Sequence, residues 1–211
     1  PANQGPRSKS APDGWRLMQE LGPRFSERAQ VHDANDSFVA ENFDELRARG
    51  VFAAGVPKQL GGGDASYPEL CSMLRTLAYY CSSSALALSM HTHVIAAAVW
   101  RWRRDPKSSE RLLRRVAAEN LVVVTSGGSD WLTASGTAER VEGGWRINAR
   151  KVFASGIPAG DLLMTQAVYD DPETGTTVLH FAIPVSDSGI ATQDSWHVLG
   201  MRGTVSQDAI V

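Results

Sequence analysis

The spacing of apolar residues changes once along this 211-residue chain, at Leu121. Before that point it follows the helical period. Leu17, Met18 and Leu21 open an apolar face that Phe25 and Ala29 extend; Phe38, Phe43 and Leu46 make a second, and Leu70, Met73, Leu74 and Leu77 a third. Residues 82–102 are apolar on most sides and should lie centrally. Residues 107–118, after the Asp105-Pro106 break, form a shorter amphipathic helix. Beyond Leu121 the pattern alternates. Segments 136–141 and 145–147 flank Glu142-Gly143-Gly144, a hairpin signal, and 162–169 and 177–184 flank a turn of Asp, Pro and Gly. A run of helices followed by a run of strands predicts an α+β chain in two parts, all-α over 13–120 and all-β over 121–211. Residues 1–12, rich in Pro, Ser and Gly, are expected to be a disordered tail.

Local signals refine this. Gly22-Pro23 should bend or restart the first helix, and Ser37 should cap the second over 37–49, with Gly50 after its end. Ser66-Tyr67-Pro68-Glu69 has the form of a capping box. The chain stops within an apolar strand pattern, as a truncated chain would.

Charge and composition exclude several roles. A net charge of -2 gives no field for nucleic acid or anionic lipid. The longest apolar stretch is interrupted by Ser89, His91, Thr92 and His93, so no membrane insertion is expected. No signal peptide is visible, and two cysteines, Cys71 and Cys81, fit a reducing cytoplasm. His91 and His93 point to different sides of a helix and so do not share a metal; no metal site is expected. Nucleophile-elbow and dinucleotide glycine motifs are absent. Arg101-Trp102-Arg103-Arg104 reads as a solvated helix end.

Two stretches carry chemistry. Val122-Val123-Val124-Thr125 is a buried-strand run that enters a Ser126-Gly127-Gly128-Ser129-Asp130 turn, able to offer amides and a hydroxyl to a phosphate, and then more β structure. In Asn148-Ala149-Arg150-Lys151-Val152-Phe153-Ala154-Ser155-Gly156, Phe153 and Ser155 share a side of an extended chain. Together they could hold a flat heteroaromatic ring by stacking and hydrogen bonding. The two turns are expected to line one cleft.

The order of these stretches, followed by Leu199-Gly200-Met201-Arg202-Gly203-Thr204, resembles the N-terminal and middle domains of the acyl-CoA dehydrogenase family of flavoproteins. The resemblance implies an α-helical domain, a β-barrel-like middle domain and a C-terminal helical bundle that is missing here. It implies FAD, with Val124 and Thr125 at the pyrimidine side of the ring and Gly128 and Ser129 near the pyrophosphate. Phe153 stands where the family usually has Trp beside the ring, and Ser155 where it has Thr near N5. Met90, His91 and Ser129 would line the substrate side. The implied reaction is α,β-dehydrogenation of an acyl-CoA thioester in fatty acid metabolism, with electron-transfer flavoprotein or oxygen as acceptor, in a homotetramer. The base, a Glu often on the bundle, is not assigned to any residue here. The family's Val-Thr-Glu-Pro-Gly-x-Gly-Ser-Asp is two residues shorter in this chain. That departure raises a second reading, a flavin-dependent monooxygenase of the same fold using reduced flavin and oxygen.

Overall fold

The computed structural model describes residues 14–211, so the tail expected at 1–12 lies outside the described residues. Helix α1 (Gly14–Ala34) runs through Gly22-Pro23 without the expected restart. An interior proline costs about 3 kcal/mol. Burial of Leu17, Met18, Leu21 and Phe25 offsets it, at roughly 1.5–3 kcal/mol for each large side chain. Gly22 lies so close to the Tyr80 ring that a Cβ would fall 2.1 Å from Cδ2, which seats α1 on α3 (Tyr67–Tyr80). Helix α2 (Ala40–Ala48) begins three residues later than its expected cap. Ser37 is engaged elsewhere, its Oγ lying 2.8 Å from His32 Nδ1. Gly50 follows the helix at φ +68°. At the start of α3 the Glu69 carboxylate accepts the Ser66 N–H at 2.7 Å, as the capping-box pattern requires.

Helix α4 (Ser82–Trp102) buries residues around most of its circumference, and α5 (Glu110–Glu119) ends at Asn120 in the left-handed region. The strands follow: β1 (Val123–Thr125), β2 (Thr137–Val141), β3 (Gly144–Asn148), β4 (Arg150–Ala154), β5 (Leu162–Asp171), β6 (Gly175–Pro184), β7 (Ala191–Gln193) and β8 (Gln207–Ile210). One departure from an all-β second part is a short helix, α6 (Gly128–Leu132), directly after β1. The Gly-Gly-Ser-Asp turn therefore leads into a helix and not into more strand. Asp130 favours its first turn, and Gly127 supplies its cap position.

Strand β5 is the axis of a five-stranded sheet ordered β1-β5-β2-β3, with β6 antiparallel along its other edge. β1 pairs with β5 in parallel, Val123 opposite Leu162. The β2–β3 hairpin turns at Val141 opposite Gly144, as expected. A second sheet is ordered β4-β8-β7.

The apolar core crosses from helices to strands. Phe43, Phe52 and Leu88 share one cluster with Val122, Val124, Ile157 and Leu163. Polar bonds close the same seam. Asp161 Oδ2 accepts both the Val122 N–H at 2.6 Å and Arg47 at 2.9 Å. Among the described residues no helix is long and apolar enough to cross a membrane.

Candidate functional site

Val123, Val124 and Thr125 are all buried along β1, and α6 begins three residues beyond it. The turn between them is fixed from inside. Asp130, 4% exposed, accepts Ser126 Oγ at 2.6 Å, the Ser135 N–H at 3.0 Å and Thr165 Oγ1 at 3.2 Å. Both its oxygens lie 3.1 Å from Nζ of Lys151, which has no exposed surface. The ammonium also donates to the Ser135 carbonyl at 2.7 Å and to the Gln166 carbonyl. Every charge in this cluster is hydrogen-bonded, the condition for burying an ion pair. Burial pushes the Asp130 carboxyl up, but the bonds from Ser126, Ser135 and Lys151 outweigh it and hold the group below its ordinary value. Burial lowers the Lys151 ammonium, and Asp130 restores only part of the difference.

Lys151 is on β4, so the ion pair clamps the α6 turn to the strand that carries Phe153. The backbones meet directly, Gly127 N–H donating to the Val152 carbonyl at 2.8 Å. A Cβ on Gly127 would lie 3.2 Å from both Phe153 Cδ2 and that carbonyl, so only glycine fits there without displacement. The two turns named from sequence thus lie side by side.

Their side chains do not all face one way. The β4–β8 register shifts between Lys151 and Ala154, and Phe153 sits at φ +59°. That bulge breaks the alternation expected to put Phe153 and Ser155 on one side. The Phe153 ring is 54% exposed and meets Trp196 edge-on at 5.8 Å. Ser155 is buried instead, its Oγ 2.7 Å from Ser206 Oγ, which lies 2.7 Å from Thr204 Oγ1. Val124 and Thr125 are buried as well, and Thr125 Oγ1 donates to the Ser126 carbonyl. Gly128 and Ser129 are exposed. Their N–H groups open α6 and have no acceptor within the helix.

A cavity of about 680 Å³ adjoins this turn, lined by Gly128 and Trp131 on one side and by Val94, Ala98, Leu112 and Met164 on the other. Trp131 stacks on His180 of β6 at 5.6 Å and 25°. His93 and Arg101 of α4 also line the cavity. His91, expected on the substrate side, is turned away from it. It is buried, its Nδ1 accepts the Val123 N–H at 3.0 Å and its Nε2 lies 2.8 Å from the Phe52 carbonyl. With Nδ1 accepting, Nε2 carries the proton. Burial holds the imidazole neutral, with a pKa of about 4. His91 is a bolt between α4 and β1. One residue before it, Met90 is half-buried and lines neither this cavity nor a neighbouring one of about 770 Å³ along β6.

Sequence reasoning missed Asp130 and Lys151 as partners, because 21 residues and a hairpin separate them. One signal was present: by strand alternation Lys151 shares a side with Ala149 and Phe153, both apolar, and a lysine on a buried side demands a counter-charge. Trp131, His180 and Arg101 as cavity walls left no comparable trace.

Residues 17–120 match the model of the acyl-CoA dehydrogenase N-terminal domain. The dibenzothiophene monooxygenase of Mycolicibacterium goodii is 29% identical over 202 residues, covering 92% of this chain and 48% of that protein. Methanesulfinate monooxygenase from Pseudomonas fluorescens superposes with a TM-score of 0.81 at 26% identity, over 93% of this chain and 49% of that one. KijD3, solved with FMN and dTDP-3-amino-2,3,6-trideoxy-4-keto-3-methyl-D-glucose, superposes with a TM-score of 0.81 at 27% identity, over 97% and 54%. The chain spans about half the length of the curated relatives it matches.

Proposed function

Residues 14–211 carry the acyl-CoA dehydrogenase-like fold, N-terminal and middle domains, and from that premise we propose that the protein is a flavin-dependent monooxygenase. The carrying observation is the junction of Gly127 with Val152 and the exposed Phe153 ring, beside which Gly128 lines an apolar cavity. The residues fit a flavin. Phe153 offers an aromatic face, glycine lets the ring edge approach the chain, and the first amides of α6 remain available to an acceptor. Buried Ser155 would reach such a ring only through the hydroxyl chain it shares with Ser206. FMN is favoured over the FAD implied by sequence resemblance, because KijD3 was solved with FMN.

One observation favours oxygenation over the dehydrogenation of an acyl-CoA. Of the relatives named above, those from Mycolicibacterium goodii and Pseudomonas fluorescens are monooxygenases by description. Bound in its reduced form, a flavin supplies the two electrons that let one atom of dioxygen enter a substrate while the other leaves as water. This chain's residues do the rest. Val94, Ala98, Leu112 and Met164 exclude water from the cavity, Trp131 gives a flat wall, and the Asp130–Lys151 clamp holds the turn in register with Phe153.

The test uses the protein at its full natural length, supplied with enzymatically reduced FMN under labelled dioxygen and a panel of planar aromatic substrates. One labelled oxygen atom per product molecule is expected, with no bleaching of oxidised flavin by acyl-CoA thioesters. Bleaching by a thioester, with no label in any product, overturns the reading.

A further inference from the structure

We propose that the cavity beside α6 takes a planar aromatic substrate bearing a carboxylate, and that Arg101 is the residue that reads the carboxylate. The proposal rests on the reading of this cavity as substrate space. The cavity's shape calls for a flat, apolar body: about 680 Å³, a Trp131 wall, and a floor of Val94, Ala98, Leu112 and Met164. Its charge calls for an anion. Arg101, His93 and His180 line it, and no carboxylate does among the described residues.

Arg101 is the one arginine among the described residues that lines this cavity, and it is uncommitted. Elsewhere Arg47 is held by Asp161, Arg49 by Glu20, Arg114 by Glu110, Arg115 by Glu119 and Arg150 by Asp208. Its near neighbour Arg104 lies over the Trp100 ring, 3.6 Å from the centroid. The Arg101 guanidinium has no hydrogen-bond or ion-pair partner among the described residues. A planar guanidinium lining an apolar cavity matches a carboxylate in a two-point bond, a geometry a lysine does not reproduce. His180 is held by its stack on Trp131, and His93 Nδ1 lies 3.2 Å from the Ser89 carbonyl of its own helix, so neither is as unencumbered as Arg101.

The test compares 2-naphthoate with 2-naphthamide, which differ little except in charge, by calorimetry on the full-length protein without flavin. Naphthoate should bind at least tenfold more tightly, and Arg101→Gln should bring the two to equal affinity, with Arg101→Lys in between. Circular dichroism of each variant checks that the fold is intact. Equal binding of the two ligands by the unaltered protein, or a preference that survives Arg101→Gln, overturns the proposal. Displacement of naphthoate by FMN in simple competition also overturns it, since the anion read by Arg101 would then be the flavin phosphate. These measurements need no turnover, so a failure of the monooxygenase reading shows separately, as absent oxygen incorporation with carboxylate preference intact.

Discussion

His91 and the Asp130–Lys151 pair are both buried polar fastenings, and they work by opposite means. His91 joins α4 to β1 as a neutral ring with one donor and one acceptor, each matched by a backbone group. The ion pair joins α6 to β4 with full charges, and every surrounding group is recruited to hold them: Ser126, Ser135, Thr165 and the Gln166 carbonyl. A neutral fastening needs only two partners, because little hydration is lost. A charged one needs a network, because desolvation is severe and any missing partner exposes it. The neutral bolt sits at the seam between helices and strands, and the charged clamp sits beside the turn whose Gly128 lines the cavity.

The contrast breaks hardest at Lys151. Lys151→Met alone should destabilise the protein by about 3–5 kcal/mol, as Asp130 is left buried without its counter-ion. Adding Asp130→Leu should recover much of that loss. Urea denaturation of the single and double variants measures both, and a double variant as unstable as the single would show that the charges themselves are required.

His91→Phe should cost about 2 kcal/mol, from the Val123 N–H and Phe52 carbonyl it leaves unpaired. It should also change the acid response. The folded imidazole titrates near pH 4, below its ordinary value of 6.5, so the unfolded chain binds the proton first as pH falls. Stability from this residue is complete above pH 6.5 and declines between there and pH 4, by roughly 3 kcal/mol in all. Denaturation midpoints across that range should lose one proton's worth of slope in His91→Phe; an unchanged slope would deny the neutral assignment. The smallest effect belongs to His93→Ala, two residues on and exposed, which should stay within about 0.5 kcal/mol of the parent by urea denaturation at neutral pH.

Much of this architecture is readable from periodicity. Apolar spacing locates α4 to the residue at both ends, and the Glu142-Gly143-Gly144 turn locates the β2–β3 hairpin. The misreadings share a cause: a local rule overridden by a distant partner. Pro23 stays helical because α1 is seated on Tyr80, and Ser37 gives up its cap to bond His32. Phe153 and Ser155 part company because β4 bulges against β8, a strand more than fifty residues further on. His91 was assigned to the substrate side by its position in the family's pattern, but on a helix the facing side is decided by one residue's rotation of about 100°. Its neighbour two positions along, His93, reaches the cavity. The site is legible as a pair of turns, and the orientation of its side chains is not.

The bond from His91 to the first amide of β1 has a kinetic side. The acceptor belongs to a helix finished before the strand leaves the ribosome, so the nascent chain meets a ready template for its first strand. The partner strand β5 emerges 39 residues later and must find β1 in parallel, a slower search than closing a hairpin. Weakening that template should therefore show first as misassembly during synthesis, in lower yield of native protein, before it shows as altered behaviour of the molecules that do mature.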